Sequence, residues 1–540
     1  MGNRAALRDV GQEAAAAVPS RRLAWSTAIF STATGLSRIL GLVREIVARS
    51  YFGVEGVGIN AFTVAFQVPN LVRALVADAA LSSAFVPVFS ELLEKGERAR
   101  AWRVASSLIW LLLLGLTAVT AIFILAAPWV MALFGYGSGP AGDLAVTLSQ
   151  ILFPIVILLG VFGIVVGILN SYEHFTVPAL TPVFWNLVII AGLVIGVPQA
   201  NTESGKLYVY AGSIVLGTIV QLLLPLPWLA GLDGRLRLAI DWRDPAVKRV
   251  FVLMLPVTLG LGLININALI GTFFAARFIN RTIAPSAIDA AFRLYMLPQG
   301  MFSVAVATVL FPALSRLSAR GDRDGFRHTV GVGLRQIAFL LIPASVVSAV
   351  LAEPIVRLIY QRGEFDAHAT HVVAGALAAF SLGLVFNGAM LMLNRAFFSL
   401  QAPWLPTWVA FGNLVFNTAL FALFYRFGVW GIPLAISVAN MAGSAALLVL
   451  LRRRLKRIEV SETARSALRI TLASIPLAIV SFGVWWALDN ALGRSFLGQL
   501  ISLSSALVAG GAVYLFSCRL LGVRELRPLL SLRARARPPA

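Results

Sequence analysis

The chain has 540 residues, 59% of them hydrophobic and only 13% charged, with a formal net charge of +20. A soluble domain carries about 25% charged residues, so this much apolar surface excludes a water-soluble globule and makes lipid its solvent. Backbone groups at bilayer depth need internal partners, which leaves helices or closed barrels. Barrel strands run about 10 residues and alternate in polarity. Apolar runs here, such as AWRVASSLIWLLLLGLTAVTAIFILAA, are far longer, so an all-α polytopic membrane protein is expected.

Residues 1–23 form a polar, Arg-bearing tail. The apolar stretch after this tail is too long for the apolar region of a signal peptide, which predicts an uncleaved first span. Fourteen transmembrane helices are predicted: 24–50, 58–90, 104–127, 143–169, 178–197, 207–230, 250–276, 284–314, 330–352, 370–396, 402–425, 428–451, 466–488 and 497–517. A basic tail closes the chain over 518–540. The even count puts both termini on one side.

Lys and Arg then divide unevenly. The tails and the segments 91–103, 231–249, 315–335 and 452–469 hold thirty-one of the 44 basic residues. The opposite side holds seven: Lys206, Arg277, Arg281, Arg357, Arg362, Arg426 and Arg494. This is the positive-inside pattern and places both termini in the cytoplasm. The basic excess is therefore read as an orientation signal with contact to anionic lipid, not as a nucleic-acid surface. Arg533, Arg535 and Arg537 in the tail have the same reading. The lone Cys518 excludes an internal disulfide. His368 and His371 sit three apart with no third ligand in view, so no metal site and no cofactor is expected.

Two lobes emerge from an internal repeat. Span 2 reads INAFTVAFQVPNLVR and closes on Phe85, Pro87 and Ser90; span 8 reads IDAAFRLYMLPQGMF and closes on Phe311, Pro312 and Ser315. Asn60-Ala61 precedes Pro69 at the spacing by which Asp289-Ala290 precedes Pro298. The copies lie six spans apart, so two pseudo-symmetric six-helix lobes of like orientation are predicted, 24–230 and 250–451, with an extra pair at 466–517. Parallel repeats of this kind suit alternating access by rocking of two halves.

Six arginines remain inside predicted spans: Arg38, Arg44, Arg49, Arg73, Arg293 and Arg395. A central arginine costs about 2.5–3.5 kcal/mol on insertion scales, so it faces a cavity or a partner. Arg49 and Arg395 lie near span ends and are expected to snorkel. Asp289 and Arg293, four apart, are placed to pair on one face. Arg38, Arg44 and Arg73 are left deep in the first two spans, where a cavity rich in guanidinium suits an anionic, phosphate-bearing substrate. In span 2, Asn60, Thr63, Gln67, Asn70, Arg73 and Asp78 fall within an arc of about 140° at about 100° per residue, with Pro69 expected to kink the helix. Ser37, Glu45 and Asp289 complete the expected polar lining.

These residues resemble a known family. SRILGLVREIVARSYFG, NAFTVAFQVPNLVRAL with AFVPVFSE, GILNSYEHFTVPALTPVFWNLVII, FRLYMLPQGMFSVAVATVLFPALSR, YQRGEFDAHAT and LNRAFFSLQAPWLP are similar to segments of the MurJ (MviN) lipid II flippases, within the multidrug/oligosaccharidyl-lipid/polysaccharide exporter superfamily. The likeness covers about residues 24–520. It implies a bacterial inner-membrane transporter, not an enzyme. The expected substrate is undecaprenyl-pyrophosphate-linked peptidoglycan precursor, moved from the inner to the outer leaflet. By resemblance Arg38, Arg44, Arg73 and Arg293 are the essential cavity arginines, Ser37 also matches, and spans 13–14 form a groove for the lipid tail. Membrane lipids and other cell-wall synthesis proteins are the implied partners.

The sequence departs from the family pattern in places. Asn60 stands where an Asp is common, Glu45 where an Asp is common and Asp78 where a Glu is common. Span 7 offers Asn265 and Asn267 and no carboxylate, so the sodium site of some relatives is not carried over. No nucleotide-binding P-loop is present, which leaves an ion gradient, the membrane potential or downstream consumption as the driving force. Three alternatives stand: export of another undecaprenyl-linked oligosaccharide, a cation-drug antiporter, for which acids rather than arginines would be expected, and a non-transporting scaffold for cell-wall enzymes.

Overall fold

The computed structural model describes residues 20–76, 80–456 and 460–526. Asp78, residues 1–19 of the expected N-terminal tail, and Arg533, Arg535 and Arg537 lie outside them. Among the described residues there is no β-strand. The helices are α1 (Ser20–Phe52), α2 (Val57–Val76), α3 (Ala80–Glu94), α4 (Arg98–Leu133), α5 (Gly139–Leu152), α6 (Ile155–Ser171), α7 (Thr176–Ala191), α8 (Glu203–Leu223), α9 (Pro245–Phe274), α10 (Ala284–Pro298), α11 (Val304–Ala319), α12 (Arg323–Val350), the short α13 (Ala352–Tyr360), α14 (Ala367–Ser381), α15 (Leu384–Ser399), α16 (Trp404–Phe424), α17 (Gly431–Leu455), α18 (Val460–Leu492) and α19 (Phe496–Leu520).

Ten helical segments of the described residues are long and apolar enough to cross a membrane, or eleven when α14 and α15, bent by 43°, count as one span. One of the ten, Trp404–Leu455, holds 52 residues. At 1.5 Å per residue it would run about 78 Å, more than twice a hydrocarbon core of about 30 Å. It folds back at Gly428, whose φ of 75° breaks the helical path, so α16 and α17 pack against each other as two spans. The expected spans 1 and 2 correspond to α1 and to α2 with α3. Large apolar side chains lie exposed along the helices, among them Leu125, Trp129, Val309 and Ile479, as a lipid-facing surface requires.

Local chemistry sets the helix ends. Thr202, Asp322, Asp366 and Ser495 each accept a hydrogen bond from the backbone N–H three residues on, capping α8, α12, α14 and α19. Pro298 has no N–H to donate, and the helix widens into a π segment over Gln299–Ser303 before α11 resumes. Pro69 does not interrupt α2, which runs unbroken from Val57 to Val76.

The chain divides into two compact units. Of the described residues, the first comprises 20–47, 72–76, 80–126 and 148–258, and the second 48–71, 127–147, 259–456 and 460–526. In the first unit α7 packs on α8 and α3 on α6, where the Phe85 ring fills the space that a side chain on Gly167 would need.

In the second unit α10 packs on α14, and α12 packs on α15 and α18. The pair α18–α19 is tied to this unit at both ends. At one end Arg335 of α12, almost fully buried, bonds Glu525 at 3.3 Å and Glu462 at 3.7 Å. At the other end Arg357 of α13 pairs with Asp489 and lies 5.7 Å from the Trp485 ring centre. Between them Phe339, Ile470, Leu477, Tyr514 and Cys518 form a shared core, and the Tyr514 hydroxyl donates to the Phe339 carbonyl at 2.7 Å.

The YQRGEFDAHAT stretch also has a packing role in the second unit. Glu364 N donates to Ser50 O at 2.9 Å. At Gly363 (φ 60°) a side chain would strike the Ser50 carbonyl, and at Gly53 (φ 59°) one would meet the Glu364 carbonyl at 2.6 Å. Only glycine tolerates both the left-handed backbone and this approach.

Candidate functional site

In the first unit the sequence-predicted residues Ser37, Arg38, Arg44 and Glu45 lie on α1 and Arg73 on α2. Arg38 is exposed, whereas Arg44 is half-buried in a built setting. Its guanidinium lies 4.7 Å from the centre of the Trp185 ring on α7 and donates to Asn186 Oδ1 at 3.2 Å. The ring face carries negative potential, so it attracts the cation without neutralising it.

Each of these two supports is itself fixed. Asn186 is buried, and its Nδ2 donates to the Pro182 carbonyl at 2.8 Å and to the Ser37 carbonyl at 3.4 Å. Trp185 Nε1 donates to Thr218 Oγ1 on α8 at 3.1 Å, and Thr218 donates back to Ile214 O at 2.8 Å. Glu45, also buried, comes within 4.0 Å of Arg44. A side chain with four rotatable bonds is thereby held in one place, with Glu45 offsetting part of its charge. Arg73 is half-buried, and α2 is tied near it by Thr258 Oγ1 donating to Leu75 O at 2.9 Å.

In the second unit lie Asn60, Gln67, Asn70, Asp289 and Arg293. The expected Asp289–Arg293 pair is present, Arg293 Nε donating to Asp289 Oδ2 at 2.9 Å. The same oxygen accepts from Arg49 at 2.9 Å, and Arg49 also donates to Ser286 Oγ. Arg49 therefore does not snorkel, contrary to expectation. Its head is buried because Asp289 and Ser286 of α10 supply the partners that water would otherwise give. Arg395 is half-buried, with its guanidinium 5.2 Å from the Phe311 ring centre.

Asn60 is fully buried. Its Nδ2 donates to the carbonyls of Val54, Gly56 and Thr282 at 2.9, 2.8 and 2.7 Å, and its Oδ1 accepts from Ser286 N at 2.9 Å. Ile283, at the N-cap of α10, has no side chain able to cap, so Asn60 satisfies an orphan N–H of that helix from α2. Gln67 and Asn70 are half-buried further along α2. The neighbouring Tyr295 of α10 accepts from Asn387 Nδ2 at 2.8 Å. In span 7, Asn267 accepts from Asn417 Nδ2 at 2.8 Å. Among the described residues no group of three metal-binding side chains comes together, and His368 instead contacts Glu55 at 2.6 Å.

Trp185 and Asn186 were not singled out as site residues from the sequence. They sit in TPVFWNLVII, an apolar run in which one Asn reads as tolerated rather than placed. The signal was an intramembrane Asn beside a Trp, facing a helix that carries an intramembrane Arg.

A family model described as "Lipid II flippase MurJ" matches residues 48–504. The chain belongs to the lipid II flippase MurJ family. Among similar relatives of the MurJ family, the probable lipid II flippase of Vibrio cholerae is 33% identical, the match covering 94% of this chain and 97% of that protein. The lipid II flippase of Burkholderia cenocepacia is 29% identical over 89% of this chain and 94% of that one. A solved structure of the MurJ family in an inward closed conformation superposes with a TM-score of 0.75 at 26% identity, covering 93% of this chain and all of that chain. An inward-facing multidrug resistance transporter of the MATE family, at 18% identity and a TM-score of 0.65 over 79% of this chain and 94% of that one, shares the fold with this chain.

Proposed function

We propose that this chain is a lipid II flippase of a bacterial inner membrane, carrying the undecaprenyl-pyrophosphate-linked peptidoglycan precursor from the inner to the outer leaflet. Family membership supports the substrate. The observation that carries the site is the held guanidinium of Arg44, stacked on Trp185 and bonded to Asn186. A fixed arginine in a membrane span suits bidentate binding of phosphate oxygens. By resemblance, Arg38, Arg73 and Arg293 are the further arginines for the pyrophosphate, and Ser37, Glu45, Gln67, Asn70, Asp78 and Asp289 are the polar residues expected to support them. These groups are exposed alternately to the two sides of the membrane. The headgroup crosses while the polyprenyl tail stays in lipid beside α18 and α19. No bond is made or broken, so the protein acts as a transporter.

The distribution of basic residues supports cytoplasmic termini. Enzymes that consume the precursor on the outer face are the natural partners. The test is complementation. In a bacterium depleted of its own flippase, the wild-type chain restores growth and precursor translocation, whereas Arg44→Ala, Arg73→Ala and Arg293→Ala variants, present in the membrane at equal level, do not. Full rescue by all three variants removes the arginine site. Failure of the wild type points to another undecaprenyl-linked substrate.

A further inference from the structure

The segment between α8 and α9 runs along α4 through the sequence RLRLAIDWR, residues 235–243. Its backbone is tied down at three places. Arg237 N donates to Ser106 Oγ at 3.0 Å, Asp241 N donates to Ser107 Oγ at 3.1 Å, and Trp110 Nε1 donates to the Arg237 carbonyl at 3.1 Å. Trp102 Nε1 and the Tyr172 hydroxyl both donate to Asp233 just ahead of it. The position is therefore built, and it decides which side chains the segment turns outward.

α4 serves as a ruler for depth. Its 36 residues run about 54 Å, well beyond a hydrocarbon core of about 30 Å. Arg98, Arg100 and Arg103 mark its polar end, and the unbroken apolar run starts at Leu108. Of the three anchors of the loop, Ser106 and Ser107 fall between and Trp110 lies in the first turn of the apolar run, all within about 10 Å of Arg103 along the helix. A chain fastened there lies at the level of the lipid headgroups.

At that level the loop points apolar groups outward. Leu238 is 82% exposed, and Ile240 and Trp242 are more than half exposed. Three basic residues, Arg235, Arg237 and Arg243, interleave with them, and the Arg243 guanidinium lies 5.0 Å from the Trp242 ring centre. Aliphatic side chains and a tryptophan interleaved with arginines match the two layers of a leaflet boundary, acyl carbon below and phosphate above.

We propose that residues 235–243 form an interfacial foot that binds anionic phospholipid headgroups, with Leu238, Ile240 and Trp242 inserted among the upper acyl carbons and Arg235, Arg237 and Arg243 on the phosphates. The foot fixes the depth of α4 in the membrane and makes the protein responsive to the anionic lipid content of the leaflet it faces. This rests on the reading that α4 spans a membrane, and its placement at the inner leaflet rests on the cytoplasmic termini proposed above.

The test uses the full chain with Cys518→Ala and an environment-sensitive fluorophore on Leu238→Cys, reconstituted in vesicles of phosphatidylcholine alone or equimolar phosphatidylcholine and phosphatidylglycerol. A second label at Asp324→Cys, a site 90% exposed, reports free solvent. The expected result is blue-shifted emission at 238, strong quenching by lipids brominated near the headgroup, and several-fold less quenching by aqueous iodide than at 324. Insertion deepens with phosphatidylglycerol, and Arg235→Gln, Arg237→Gln and Arg243→Gln together abolish that dependence. Iodide quenching at 238 equal to that at 324 in both vesicles overturns the proposal. So does protection at 238 in native membranes but not in pure lipid, which identifies a protein partner instead. Sidedness is read separately with a membrane-impermeant maleimide in right-side-out and inverted membranes. Modification at 238 from the outer face refutes the orientation while leaving the lipid contact standing.

Discussion

Asp289 gives the sharpest test of how buried charge is held in this protein. Its Oδ2 receives both Arg49 and Arg293 at 2.9 Å, but the two arginines are not equivalent. The Arg49 side chain is 5% exposed, whereas that of Arg293 is 37% exposed. At an effective dielectric constant of about 20, opposite charges about 4 Å apart attract by about 4 kcal/mol, and breaking a buried pair on one side costs about 3–5 kcal/mol. Asp289 is itself 29% exposed, which lowers the expectation for Asp289→Asn to about 2–4 kcal/mol. The Arg293 contact, exposed and four residues away on one helix, is worth no more than about 0.5 kcal/mol.

A double-mutant cycle measures this directly in purified protein by denaturant unfolding of the second unit's signal. Asp289→Asn and Arg49→Met are each strongly destabilising. The pair Arg49→Met with Asp289→Asn costs less than the sum by at least about 1.5 kcal/mol, because the buried Arg49–Asp289 ion pair is then removed on both sides. Arg293→Gln shifts stability little. Additive single costs, or an Arg293→Gln effect as large as that of Arg49→Met, would refute the assignment of Arg49 as the buried partner.

The same geometry sets three further expectations. Asn186→Leu removes the acceptor that places Arg44 and costs about 1.5–3 kcal/mol in precursor binding, read as a ten-fold or greater loss of affinity with protein folding retained; unchanged affinity would detach Asn186 from the site. Asn60→Leu leaves the Ser286 N–H and the Thr282 carbonyl without their partner and lowers the thermal midpoint, while Asn60→Asp keeps the acceptor and falls between, as differential scanning would show. At the loop foot, the Tyr172 hydroxyl first, with help from Trp102, holds the Asp233 carboxyl below its ordinary range. A depressed carboxylate contributes stability that is present above its unfolded value, about 3.9, and lost as pH falls through the folded one. Limited proteolysis of residues 231–244 should therefore stay constant from neutral pH down to mild acid and rise only below that unfolded value; release already near neutrality would contradict the Asp233 anchor.

Much of this organisation was legible in the residues themselves. Long apolar runs announce helices whatever their neighbours do, and the Asp289–Arg293 pair follows from spacing alone. Arg49 was misjudged because snorkelling and burial look alike in one sequence; the difference lies in Asp289 and Ser286, some 240 residues away in the chain. Asn60 was likewise read as polar lining, whereas its four bonds go to backbone groups of its own segment and of the start of α10. Arg44 was found as an isolated cost in lipid, but its setting was not, because an Asn–Trp pair in an apolar helix carries meaning only once the helix opposite is known. The turn at Gly428 falls at the break expected between the spans 402–425 and 428–451.

The attachment of α18 and α19 at both ends bears on how such a pair could be gained or lost. Arg335 and Arg357 stand on α12 and α13, outside the pair, yet their partners Glu462, Glu525 and Asp489 are on or just beyond it. Cutting the chain before residue 460 would take Glu462 and Glu525 from Arg335 on α12 and Asp489 from Arg357 on α13, and would strip the apolar face that Phe339 shares with Leu477. A shortened descendant would have to change Arg335 and Arg357 at the same step. The last two helices are thus heritable only together with two arginines placed more than a hundred residues earlier, a dependence that domain boundaries drawn by span number do not reveal.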